Sequence, residues 1–131
     1  MPMTYTLTGH AESRREAALC ITVLYGMTHK AKYVMIVVPD DDAITEYVRS
    51  ISRMLPESCI KSTRRVTGQY TLGLLNNTSI WIVTYKLDEA HLCGVHIDVL
   101  IEDNVTFQPA WPRLVVQIPD ITPYHWILQE E

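Results

Sequence analysis

The chain has 131 residues, of which 47% are hydrophobic and 20% are charged, and its formal net charge is −4. This length predicts one domain, residues 1–131, with enough apolar material to build a core. The acidic balance excludes a strongly basic nucleic-acid-binding surface over the whole chain, but it leaves room for a local basic patch.

The cysteines and the hydrophobic segments indicate the compartment. Cys20, Cys59 and Cys93 form an odd set, which suits a reduced intracellular protein better than a disulfide scaffold. Residues 1–10 lack the charged and apolar regions of a signal peptide. No apolar stretch approaches the roughly 20 residues that a membrane span needs. We therefore expect an intracellular protein that is not secreted and has no membrane partner.

The first half of the chain alternates between predicted strands and helices. Residues 5–8 predict a short strand, and the apolar stretch 17–27, together with the charged entry 12–16, predicts a buried helix. Residues 33–38 are apolar without alternation, which is typical of a strand covered on both faces. Asp40 then begins a helix. The apolar face of that helix has helical spacing and consists of Ile44, Val48, Ile51 and Leu55.

The second half is richer in predicted strands. Residues 57–68 are polar and contain the main basic cluster, Lys61, Arg64 and Arg65. Two strands at 69–75 and 80–84 predict a hairpin. Further strands are predicted at 97–101 and 114–118, and the tail 124–131 is short and mixed. The whole order predicts an α/β domain with a mainly parallel sheet, flanking helices and a β-hairpin insertion.

Two acidic segments compete for the place where a nucleotide-hydrolysing fold needs its acids, directly after a buried parallel strand. The first is Asp88, Glu89, Ala90 and His91, the four letters that name a helicase box. Lys86 precedes it by two residues, which is a poor fit to a buried strand end. The second places Glu102 and Asp103 after the apolar run 99–101. This second segment is the better candidate.

The surroundings of the second segment resemble a known family. Residues 77–84, 94–98 and 99–104 follow in order three segments from the middle of viral large-terminase ATPase domains, which are relatives of helicases. The resemblance implies a trimmed RecA-like P-loop ATPase core with ATP and magnesium as cofactors. It also implies that Asp103 is the metal ligand, with Glu102 beside it, and that a phosphate loop lies within residues 9–16.

The sequence departs from the family pattern at both catalytic positions. Asn104 follows Asp103 where the family has a Glu that orients the attacking water. The expected phosphate loop has one glycine and no lysine, although such a loop needs glycines and a Lys. Its vestigial nucleotide-binding positions are Gly9, Ser13, Arg14 and Arg15. Because both halves depart together, we expect no bound cofactor and no hydrolysis.

Three classes of function remain open. The first is a non-catalytic terminase-like or helicase-like module that binds a protein partner, another copy of itself or nucleic acid, the last through Lys61, Arg64 and Arg65. The second is an active NTPase of viral DNA packaging or unwinding. The third is an unrelated small α/β viral interaction protein. Weaker alternatives are a zinc site at His91, Cys93 and His96, a cysteine nucleophile at Cys93, and a nuclease metal site at Asp98, Glu102 and Asp103.

Overall fold

The computed structural model describes residues 3–28, 32–88, 96–105 and 122–131. These residues form seven strands, two α-helices and one short 3-10 helix. In chain order the elements are β1 Met3–Gly9, α1 Ala11–Thr28, β2 Tyr33–Val37, α2 Asp41–Met54, the 3-10 helix Glu57–Cys59, β3 Ile60–Val66, β4 Gln69–Leu74, β5 Ser79–Val83, β6 Val99–Asp103 and β7 Tyr124–Glu130.

The strands form one mixed sheet in the order β1-β7-β6-β2-β5-β4-β3. The first five strands in this order run parallel to one another; they are β1, β7, β6, β2 and β5. At the end of the sheet, β4 pairs antiparallel with β5, and β3 pairs antiparallel with β4. The predicted α/β class, the mainly parallel sheet and the β4–β5 hairpin are therefore confirmed.

Both helices pack on the same face of the sheet. Residues of α1 and α2 share one apolar cluster with alternate residues of the central strands, among them Val34, Ile36 and Ile101. The intervening residues Met35 and Leu100 belong to a second cluster on the opposite face. The central strand β2 is buried on both faces, which explains why its sequence does not alternate. Neither helix in the described part of the chain is long and apolar enough to cross a membrane.

The start of α2 follows the predicted capping chemistry. The carboxylate of Asp40 accepts a hydrogen bond from the backbone N–H of Ala43, at 2.8 Å. This bond satisfies one of the N–H groups that the first helical turn leaves without a partner. The helix therefore begins where the sequence indicates, at Asp41 after the cap residue Asp40.

The polar stretch that carries the basic cluster is a strand, whereas the sequence indicates no regular structure there. β3 pairs antiparallel with β4 at the edge of the sheet. Residues 61–65 are all exposed, so no apolar alternation marks the strand. The turn into β4 requires Gly68, whose φ is +73° and whose missing Cβ would lie 2.6 Å from the carbonyl carbon of Lys86.

The tail is also a strand, which corrects its interpretation as a short mixed segment. β7 lies between β1 and β6 and runs parallel to both. The Trp126 ring stacks on Tyr5 of β1, with 4.5 Å between ring centroids. The strand predicted at 114–118 lies outside the described residues.

Candidate functional site

The connection between β1 and α1 is a single residue. β1 ends at Gly9 and α1 begins at Ala11, so only His10 joins them. The carbonyl oxygen of His10 already accepts the backbone N–H of Arg14, at 2.8 Å. Residues 11–16, where the family resemblance implies a phosphate loop, therefore continue the strand directly into helix.

Asp103 stands at the carboxyl end of β6 and faces the helices. Its Oδ1 accepts a hydrogen bond from Arg14 Nε, at 2.7 Å, and its Oδ2 accepts one from the hydroxyl of Tyr47, at 2.7 Å. Arg14 Nη1 also donates to the carbonyl oxygen of Gly9, at 2.9 Å. Asp103 is 5% exposed and the Arg14 side chain is 10% exposed. The sequence-predicted residues Gly9, Arg14 and Asp103 thus meet at one point.

This arrangement compensates a charge that would otherwise be costly to bury. An isolated carboxylate loses several kcal/mol of hydration on burial, and a hydrogen-bonded guanidinium offsets much of that loss. Here the two oxygens of Asp103 have separate donors, one from α1 and one from α2. The carboxylate therefore joins both helices to the end of β6. Its oxygens are engaged by the protein itself.

The environment of Tyr47 favours its neutral hydroxyl. Burial is the first cause that raises the pKa of Tyr47 well above 10.0, and the negative charge of Asp103 is the second. In an unfolded chain the same hydroxyl ionises near pH 10. The folded form therefore retains a proton that the unfolded form releases as the pH rises past 10.

The free energy of unfolding should accordingly fall as the pH rises above about 10. We expect Tyr47→Phe, which cannot ionise, to be less stable than the wild type at neutral pH but to lose less stability between pH 9 and pH 11. Urea unfolding followed by circular dichroism at these pH values measures the difference. Equal slopes for both proteins would show that Tyr47 is not the responsible group.

Glu102 does not share the site with Asp103. Successive side chains of a strand point to opposite faces, and Glu102 forms a buried hydrogen bond with His125 of β7 on the face away from the helices. Within the described ranges, no group of three or more His, Cys, Asp or Glu side chains could hold a metal ion. Glu102 and Asp103 therefore do not face a common site, as the nuclease alternative with Asp98 would require.

Asn104 ends β6 in a left-handed backbone conformation with φ +54°. Its N–H donates to the carbonyl oxygen of Leu128, at 2.7 Å. Its side-chain oxygen accepts the N–H of Glu130, at 3.3 Å. Both bonds go to β7, so the residue that stands where the family has a catalytic Glu joins two strands.

The other candidates near the first helix lie apart from Asp103. Arg15 donates from Nε to the hydroxyl of Ser50 in α2, at 3.3 Å, so Arg14 is the arginine that reaches the acid. Ser13 is exposed on α1.

Asp98 lies at the opposite end of β6 from Asp103, where its Oδ2 accepts hydrogen bonds from the backbone N–H groups of Lys32 and Tyr33. This position separates it from Asp103 and argues against the nuclease arrangement.

The basic cluster is divided between the two faces of β3. Arg65 pairs with Tyr70 of β4 and donates to the Thr45 hydroxyl of α2, at 3.0 Å. Arg64 pairs with Thr71 and therefore points to the other face. Lys61 is exposed beside an irregularity in the ladder. The three cations follow one exposed edge, but they do not form a patch on one face.

Three further hypotheses from the sequence depend on residues outside the part of the chain that the structure describes. Of the helicase-like letters, Asp88 follows β5 and not the buried strand β6, and Glu89, Ala90 and His91 lie outside the described residues. The zinc alternative includes His91 and Cys93, and the cysteine-nucleophile alternative rests on Cys93, so both involve residues outside the described part.

Tyr47 and His125 are the residues at these acids that sequence reasoning missed. Tyr47 is fully buried, whereas Val48, which the helical spacing places on the inner face, is half-buried. A tyrosine one position from the predicted inward face of a helix is a weak sequence signal for a buried contact. Its hydroxyl is seen to need a hydrogen-bond partner only when the position of the helix in the fold is known. The sequence did not mark His125 as a contact of Glu102, because residues 124–131 show no strand pattern.

No family model matches the sequence, and no curated protein matches it either. Two solved structures are similar in fold. The large terminase from a thermophilic bacteriophage has a TM-score of 0.60 at 12% identity, over 98% of this chain and 33% of that one. A mutant of the large terminase ATPase domain of a Thermus phage has a TM-score of 0.52 at 11% identity, over 96% and 58%. The chain thus spans about a third of the first protein, and its fold resembles that of phage large-terminase ATPase domains.

Proposed function

We propose that this chain is a viral terminase-like module, folded as one domain over residues 1–131, that does not hydrolyse nucleotide. It acts by binding a protein partner or nucleic acid. The observation that carries the proposal is the state of Asp103, whose two carboxylate oxygens are bonded to Arg14 and Tyr47. A magnesium ligand in such a fold needs a free oxygen at this strand end.

The phosphate side of the site supports the same proposal. A phosphate loop binds its ligand through several backbone N–H groups that face a common centre. Here the strand passes into the helix through His10 alone, and Arg14 is directed back to Gly9 and Asp103. The residues present therefore do not fit magnesium and a nucleoside triphosphate, and no hydrolytic step is derived from them.

Binding is the activity that the surface favours. β3 presents Lys61, Arg64 and Arg65 to solvent along an edge of an otherwise acidic protein. Exposed arginine and lysine side chains contact phosphates and carboxylates well. Such contacts would be salt-dependent, which separates them from the apolar core contacts that hold the fold.

Phosphate release tests the hydrolytic half of the proposal. With millimolar ATP and magnesium, we expect the wild type to release no more phosphate than Asp103→Ala. Glu46→Ala, which removes an exposed carboxylate of α2, is the matched control for loss of a negative charge. Magnesium-dependent release by the wild type and by Glu46→Ala that disappears in Asp103→Ala would favour the active NTPase instead.

A further inference from the structure

The two edge strands of the sheet, β1 and β3, differ in how they are protected from pairing with another strand. An edge strand exposes backbone N–H and C=O groups that can pair with any strand of matching shape. Proteins prevent this with charged side chains, prolines, bulges or short edges. The sequences of the two edges therefore indicate which edge is open to a partner.

β3 has two of these protections. It carries Lys61, Arg64 and Arg65 within seven residues, and its ladder with β4 is irregular between Ile60 and Ser62. Two copies of β3 side by side would place like charges opposite each other, which is unfavourable. This edge is closed to a second copy of the same strand.

β1 has none of them. Met3–Gly9 contains no charged residue and no proline, and all seven residues pair in unbroken register with β7. Its outer side has no neighbouring strand among the described residues. Two large apolar side chains lie exposed on it, Met3 at 53% and Leu7 at 41%. An edge strand of seven residues without charge, proline or bulge is the kind that pairs with another strand.

The hydrogen-bond pattern identifies the outward groups. The N–H of Met3 donates to the carbonyl oxygen of Pro123, at 2.8 Å, so the backbone groups of Met3 point towards β7. The direction alternates along a strand, so Tyr5 and Leu7 also point inward. The N–H and C=O groups of Thr4, Thr6 and Thr8 therefore point outward, away from the sheet.

We propose that β1 pairs antiparallel with β1 of a second copy of this chain, about a two-fold axis at Thr6. In this register Thr6 faces Thr6 of the second copy and Thr4 faces Thr8, so every outward N–H and C=O group of the three threonines is paired. The contact is isologous, and the protected β3 edge cannot extend it. The assembly therefore closes as a dimer with one continuous sheet.

The side chains complement each other in the same register. Tyr5 and Leu7 lie on the same face as Trp126, because Tyr5 stacks on that ring. In the dimer, Leu7 of one copy lies opposite Tyr5 of the other, which is a favourable aliphatic–aromatic cross-strand pair. On the other face the threonines pair with threonines, which is also favourable. A second copy thus covers the exposed Leu7 without placing any charge at the contact.

Sedimentation equilibrium tests the dimer with Thr6→Pro and the matched control Thr6→Val. The proline removes the outward N–H of residue 6 but none of the bonds to β7, whereas valine keeps the N–H and a similar shape. We expect a dimer for the wild type and Thr6→Val. Because both copies lose a central hydrogen bond, Thr6→Pro should raise the dissociation constant about 10- to 100-fold. A wild type that is monomeric at high micromolar concentration would overturn the proposal.

Amide hydrogen exchange in the wild type keeps the test decisive even if Thr6→Pro does not fold. At dimeric concentrations the amides of Thr4, Thr6 and Thr8 should be protected, and dilution to the monomer should speed their exchange. The amides of Tyr5 and Leu7, which bond to β7, should change little. A dimer in which the threonine amides exchange fast, or one that survives in folded Thr6→Pro, contradicts pairing through β1.

Discussion

Asp103→Ala is expected to lower the free energy of unfolding by about 3–5 kcal/mol, because it leaves the nearly buried Arg14 guanidinium without its counter-charge. It also removes the acceptor of the Tyr47 hydroxyl. Asp103→Asn keeps an oxygen that can accept from Arg14, so it should cost less. Equilibrium unfolding in urea, with the slope checked for two-state behaviour, measures both values.

The exposed pair formed by Arg49 and Glu46 on α2 provides the control. Its Arg49 Nη1–Glu46 Oε1 distance is 2.6 Å, but both side chains are well exposed to solvent. Glu46→Ala should therefore change the free energy of unfolding by no more than about 0.5 kcal/mol. A loss below about 1 kcal/mol for Asp103→Ala would mean that its carboxylate is not held by the protein as described.

Glu102→Ala is expected to cost about 3 kcal/mol, because His125 would remain buried in β7 without its partner. Glu102→Gln retains an oxygen that can accept from the imidazole, and it should cost clearly less than Glu102→Ala. The same urea unfolding experiment compares the two variants. A loss below about 1 kcal/mol for Glu102→Ala would contradict the buried hydrogen bond between the two side chains.

The roles of Glu102 and Asp103 separate because of strand alternation. The sequence places both acids together after a buried run, and because β6 continues through Asp103, their side chains face opposite sides of the sheet. Asp103 joins the helices to β6, and Glu102 joins β6 to β7. Substitution of either acid should therefore lower the free energy of unfolding. Substitution of an acid in an active site would instead lower the rate of turnover with little change in stability.

Sequence patterns predicted the parts of the fold where burial marks the residues. β2 and β6 are buried on both faces, and β2 and residues 99–101 of β6 are unbroken apolar runs. α2 is marked by a cap and helical spacing, and the β4–β5 hairpin by its turn residues. Each of these signals reflects contacts that the element makes with the core or with its own turn.

The missed strands lack such marks. Residues 61–65 of β3 are exposed on both faces, and its identity depends on pairing with β4, which is a non-local contact. β7 has a run of aromatic and aliphatic residues, but only Leu128 and His125 are buried in it. Its place between β1 and β6 follows from sheet order, which local patterning does not encode.

The candidate site was predicted in part. The family resemblance implies that Gly9 and either Arg14 or Arg15 lie near Asp103, and the strand order does place the ends of β1 and β6 near each other, with β7 between them. What the resemblance could not predict is that Arg14 bonds the acid directly, or that Tyr47 takes the second oxygen. Both contacts depend on the one-residue connection at His10 and on the packing of α2, which are tertiary features.

We propose that the protein itself engages Asp103 and so leaves no site for a magnesium nucleotide. The melting temperature of the wild type, measured with millimolar ATP and magnesium and again with ATP and a chelator, tests it most directly. Ligand at 100 times its dissociation constant would add about 2.7 kcal/mol to the free energy of unfolding, which is a rise of several degrees. We expect the same melting temperature in both conditions. A magnesium-dependent rise of several degrees that is absent in Asp103→Asn would contradict it.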